Sequence, residues 1–107
     1  MSIAEFGSIN MDLEVLTTRL PKPGETITGF DFQIFPGGKG ANQAVACSKL
    51  GAEVFMIGRV GDDEFGKRLK EGLISAGVNQ TNVIINESVS SGTALITVED
   101  SAENMII

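Results

Sequence analysis

Three glycines set around a lysine, Gly37-Gly38-Lys39-Gly40, separate an alternating apolar segment from a run of small residues that ends at Gly51. No other feature constrains the fold as tightly. A glycine-dense loop that opens a helix of Ala41, Ala44, Ala46, Cys47 and Ser48 lets backbone approach backbone, because nothing larger than a small side chain stands in the way. The spacing predicts a well-buried helix from about Ala41 to Leu50, with Gly51 as its C-terminal stop. The apolar segment Glu53 to Gly61, "EVFMIGRVG", follows as a strand of the kind covered on both faces in a parallel sheet.

The surrounding chain extends this α/β pattern. Ile3 to about Ile9 reads as a first strand, Leu13 to Leu16 as a second extended segment, and "RLPKPGET" as loop, with two prolines and Gly24 close together. From Gly29 to Ile34 apolar and polar residues alternate, which predicts a half-exposed antiparallel strand. Asp62 to Val78 reads as a second helix: Phe65, Leu69 and Leu73 recur at i, i+4 and i+8 and form its inward stripe. Asp62 is expected to cap it, and Gly77 to close it. The remainder reads as a β-hairpin, "TNVIIN" and "TALITVED" around a turn at "SVSSG", then a further turn and "MII". Three apolar residues directly after a turn suggest a strand interrupted at its beginning. The whole predicts an α/β domain with an antiparallel appendage.

Composition removes most alternatives. The 107 residues contain no histidine and a single cysteine, Cys47. Serine and cysteine triads that use histidine are therefore excluded, as is an intrachain disulfide. A net charge of −6 without a basic tract disfavours nucleic acid and anionic membranes. The start "MSIAEF" carries Glu5 where a signal peptide would be apolar, and no apolar run reaches the length of a membrane span. These features point to a cytoplasmic protein.

What the glycine loop holds is a narrower question. The dinucleotide fingerprint requires a glycine where Gln43 stands, and a nucleotide P-loop requires Ser or Thr after its lysine, where this chain has Gly40. Backbone N–H groups at a helix start, with Lys39 and Asn42 beside them, suit hydroxyl-rich ligands or anions. A tight turn made for packing alone remains the competing reading. Asn10 and Asp12, two apart at the end of the first strand, project to one side and could engage vicinal hydroxyls. An Asx-type turn explains them equally well.

Taken together, "GSINMD", "PKPGETI", "GGKGANQA" and "RVGDDEFG", in this order and at these spacings, resemble the N-terminal part of the ribokinase-like carbohydrate kinases. The resemblance covers essentially the whole chain. The Asn-x-Asp pair with this form of the glycine loop is similar to the ribokinases within that family. It implies the N-terminal part of a three-layer α/β/α fold with an antiparallel β-lid. Residues 1–107 would form the sugar-binding half, with lid strands at about 13–35 and 93–107, and the catalytic and ATP-binding half would lie outside it. It implies that Asn10 and Asp12 hold ribose hydroxyls, and that Gly38 (through its backbone), Lys39 and Asn42 complete that side of the pocket.

The resemblance further implies ATP-dependent phosphorylation of D-ribose at the 5-hydroxyl, with Mg2+ and a monovalent cation, K+. It also implies a homo-oligomer formed through the lid strands. The catalytic aspartate of the family sits in a Gly-Ala-Gly-Asp motif, which does not occur in this sequence, so no catalytic, cofactor or metal residue is assigned here. This chain alone is expected to be inactive as a kinase. Two other readings stay open: a non-catalytic sugar-binding or dimerisation module, and a kinase of another pentose or of a nucleoside.

Overall fold

The computed structural model describes residues 1–107, which divide into two compact units. The first comprises Met1–Met11 and Pro36–Gly92. In it β1 (Ser2–Phe6), β4 (Glu53–Gly61) and β5 (Asn79–Asn86) form a parallel sheet in the order β1-β4-β5. α1 (Lys39–Lys49) leads into β4, and α2 (Glu64–Ser75) connects β4 to β5. Both crossovers step the same way across the sheet, so right-handed connection puts both helices on one face.

Alternation along β4 shows which face that is. Val54, Met56 and Val60 are buried beneath the helices together with Leu69, Leu73 and Ala44. Phe55 and Ile57, on the opposite face, are only half-buried, and Phe6 on β1 is 82% exposed. β4 therefore spans its expected bounds but is covered on one face rather than two.

The helices follow the same one-sided logic. α1 begins at Lys39, two residues before the expected start, because Gly38 already serves as its N-cap. Gly40, Ala41 and Ala44 are buried while Asn42 and Ala46 are exposed, so only one face of α1 lies on the sheet. On α2 the inward stripe is Gly66, Leu69 and Leu73, with Phe65 at its margin.

The second unit comprises Asp12–Phe35 and Thr93–Ile107. It carries most of a sheet in the order β3-β2-β6-β7, where β2 is Asn10–Thr17, β3 is Phe30–Gly37, β6 is Gly92–Glu99 and β7 is Asn104–Ile106. β6 and β7 form an antiparallel hairpin, extended by reciprocal bonds between Leu95 and Ile107 at 2.9 and 3.0 Å. The hairpin expected between β5 and β6 does not form: β5 pairs in parallel with β4, and β6 belongs to the other sheet. The alternation expected in β3 is also broken. Asp31 has a left-handed φ of 52°, and Phe30, Asp31, Phe32 and Gln33 are all exposed.

No helix is long and apolar enough to cross a membrane.

Candidate functional site

The site grows from the turn after β1. Gly7, Ser8 and Ile9 carry the chain to Asn10, the first residue of β2. Here Gly7 and Gly40 meet backbone to backbone. A Cβ on Gly40 would lie 2.7 Å from Gly7 Cα and 2.8 Å from Ser8 N, and one on Gly7 would lie 2.9 Å from Gly40 Cα. Only a glycine pair fits. The Ser8 carbonyl accepts from the Ala41 N–H at 3.0 Å, which engages one of the donors that a helix start leaves without an internal partner.

Gly38 completes the junction. Its φ of 98° is reached easily only by glycine, and it caps α1 without a side chain. A Cβ there would lie 3.0 Å from Asn10 Oδ1 and closer still to the Ser8 carbonyl. The Asn10 amide thus stands against the backbone that opens α1. Lys39 and Asn42 are exposed on the first turn of that helix, and the Asn42 N–H donates to the Gly38 carbonyl at 2.9 Å. Met11 is buried, so strand alternation directs Asn10 and Asp12 to the other side of β2. Asp12 belongs to the second unit.

The first unit also holds a cavity of about 430 Å³ between α1 and α2, lined mainly by Ile9, Pro36, Ala41, Val45, Leu69 and Leu73. Its walls are mostly apolar, with Asn42, Lys49 and Ser75 the polar side chains among them. No group of three or more His, Cys, Asp or Glu side chains is disposed to hold a metal ion. The donor set does not fit Mg2+.

Sequence reasoning placed the cap of α2 one residue too early. Asp63, not Asp62, is the N-cap: its side chain accepts from the Gly66 N–H at 2.7 Å. The Asp62 N–H instead donates to the Asn86 carbonyl at 3.2 Å. Asp63 also binds Ser91, which sequence reading had passed over as turn. The only local signal was the spacing of Asp63 three residues before Gly66, the reach of a capping side chain.

The model of the pfkB family carbohydrate kinases matches residues 2–107. A ribokinase of Bacillus subtilis is 43% identical over 106 residues, which cover 99% of this chain and 36% of that protein. A deoxyribokinase of Salmonella typhimurium is 45% identical over 107 residues, covering 100% of this chain and 35% of the relative. An Arabidopsis thaliana ribokinase, solved in complex with ribose and ATP, superposes with a TM-score of 0.88 at 38% identity, covering 97% of this chain and 34% of that one. The chain thus spans about a third of the length of the relatives it matches. Its architecture matches the N-terminal part of the ribokinase-like three-layer α/β/α fold with an antiparallel lid region, α1 and α2 forming one of the two helical layers.

Proposed function

The chain belongs to the pfkB family of carbohydrate kinases, and we propose that it forms the sugar-binding part of an ATP-dependent kinase that phosphorylates D-ribose at its 5-hydroxyl. The observation that carries this reading is the junction of Asn10 with the Gly38 backbone at the start of α1. An amide offers both a donor and an acceptor, a helix start offers N–H groups, and together they match the alternating donors and acceptors of a polyol. Asn10, Asp12, Gly38, Lys39 and Asn42 are the residues assigned to the pentose. ATP, Mg2+ and K+ would be held by residues outside this chain, as would the catalytic base. Residues 1–107 are the sugar-binding half in this reading, and the chain alone transfers no phosphoryl group. A homo-oligomer formed through the strands at about 13–35 and 93–107 belongs to the same proposal.

The similarity to a deoxyribokinase supports 2-deoxyribose as the second candidate. Titration of the isotope-labelled chain with each sugar, followed by amide NMR, separates the two. Ribose is expected to move the Asn10 side-chain amide and the Gly38, Lys39 and Asn42 amides, and to bind about tenfold more tightly than 2-deoxyribose, since a site that hydrogen-bonds a hydroxyl rejects the analogue without it. The reverse preference assigns the deoxy sugar. Shifts elsewhere, or none with either sugar, overturn the proposal.

A further inference from the structure

We propose that Asp63 is a positioning residue for Asn10, acting through Ser91 and Gly92. The proposal rests on the sugar-site reading for what Asn10 binds, and on geometry alone for the link itself.

A helix cap needs one acceptor bond, but Asp63 makes three. Oδ1 accepts from the Gly66 N–H and from the Ser91 hydroxyl, both at 2.7 Å, and Oδ2 accepts from the Ser91 N–H at 2.8 Å. The Ser91 hydroxyl accepts in turn from the Gly61 N–H at 2.9 Å. Two of the three bonds to Asp63 therefore lead away from the helix, to a residue 28 positions along the chain. Ser91 is 5% exposed, and its backbone lies so close that a Cβ on Gly61 would strike Ser91 N and fall 2.7 Å from the Ser90 carbonyl carbon. A Cβ on Gly66 would strike the Gly61 carbonyl oxygen. The Gly-Asp-Asp-Glu-Phe-Gly segment, which the sugar-site reading leaves without a role, is thus shaped to clamp Ser91. The same bonds hold the Asp63 carboxyl below the usual carboxylate range, the Ser91 hydroxyl contributing most, then the Ser91 and Gly66 N–H groups. Asp63 accordingly stays an acceptor at all three.

The next residue delivers the effect. Gly92 opens β6, and a Cβ there would lie 3.2 Å from Asn10 Cβ and 3.5 Å from the Ile9 carbonyl. Asn10 is therefore bracketed, with Gly92 against its Cβ and Gly38 beside its Oδ1. Both neighbours are backbone, so displacing Ser91 moves one wall of the bracket. Sub-ångström placement of a hydrogen-bonding group decides its contribution to recognition.

The test separates capping from positioning. Serine is a strong N-cap but too short to bridge from residue 63 to Ser91, so Asp63→Ser keeps the cap and cuts the link. Ser91→Ala removes the clamp hydroxyl without touching the cap, and it decides the matter should the first variant fold poorly. In both variants the Gly92 amide and Asn10 side-chain resonances are expected to move while those of Leu69 to Leu73 in α2 stay in place. Ribose affinity is expected to fall about tenfold, and Asp63→Ser with Ser91→Ala to be no weaker than the weaker single variant. Unmoved Gly92 and Asn10 signals would reduce Asp63 to a helix cap and overturn the inference. Should they move while the unaltered chain shows no response to ribose, the link stands and the sugar reading falls by itself.

Discussion

The two units of this chain are stabilised differently. Every buried apolar residue, from Ile9 and Met11 through Val54, Met56 and Val60 to Val83, belongs to the first unit. The second unit buries only Thr17, whose hydroxyl donates to the Arg19 carbonyl at 2.8 Å, and it exposes Phe30, Phe32, Leu95 and Ile106. One unit removes apolar surface from water. The other is a sheet joined by strand pairing and polar loop contacts, with apolar side chains facing outward. A core tolerates almost no change in volume, whereas an open sheet is insensitive at its surface and adhesive at its edges. The helix junction that carries Asn10 and Gly38 lies in the first unit, where placement is most tightly determined.

The hardest blow to this contrast is struck in the core. Met56 has no exposed surface, and Met56→Ala should cost about 2–5 kcal/mol through lost transfer free energy and the cavity left behind. Urea denaturation followed by far-UV circular dichroism measures it. A cost near that of a surface substitution would show that the first unit is not the stable one.

Next in size is the glycine contact under the site. Gly40→Ala would put a methyl group 2.7 Å from Gly7 Cα, and backbone atoms cannot swing aside as side chains do. The expected cost is about 1–3 kcal/mol, the range for overpacking. The Ala41 to Ser8 hydrogen bond should open as well, seen as faster exchange of the Ala41 amide. Unchanged exchange would mean that the close approach does not hold α1 to the strand exit.

How far these features could be read in advance depended on how local their causes were. The bounds of β4 and the Leu69–Leu73 stripe of α2 were legible, because period and flanking residues act within one element. The partner of β5 was not. "TNVIIN" suits either a hairpin or a parallel strand, and the choice falls to α2, which carries the chain back across the sheet and delivers β5 beside β4. The cap of α2 was missed by one residue because two adjacent aspartates satisfy the same preference; the position of Gly66 relative to Asp63 settles it. Within the candidate site, the glycine loop was visible as a motif. The approach of Asn10 to Gly38 spans 28 positions and left no trace in local pattern. The Asp63–Ser91 link was equally invisible, since serine in a turn is ordinary.

A surface change in the second unit should cost little. Phe32 is 59% exposed, and Phe32→Ser is expected to alter stability by no more than about 0.5 kcal/mol. If the open sheet is where copies associate, the same variant should lower the mass seen by light scattering at matched concentration. A large loss of stability would show that Phe32 is packed in solution, and an unchanged mass would place any association elsewhere.

The smallest effect isolates the polar bonds of the second unit. Arg19 donates to Glu25 through both terminal nitrogens, at 2.6 and 2.9 Å, and the Lys22 N–H donates to the same carboxylate at 3.0 Å. These bonds, Arg19 foremost and then Lys22, bring the Glu25 carboxyl from an ordinary 4.5 down to about 2. The pair raises the Arg19 guanidinium correspondingly. A folded pKa below the unfolded one stabilises the loop above the ordinary carboxylate range, and the gain is lost as pH falls from about 4.5 through about 2. Both partners are in water, so screening keeps the contribution to global stability slight. NMR titration of the Glu25 carboxyl carbon should therefore give a midpoint near 2, and Arg19→Gln should return it toward 4.5. The urea midpoint at neutral pH should barely change in that variant. A substantial fall there would show that the second unit depends on this one pair, and that its sheet contributes less to its stability than its strand pairing implies.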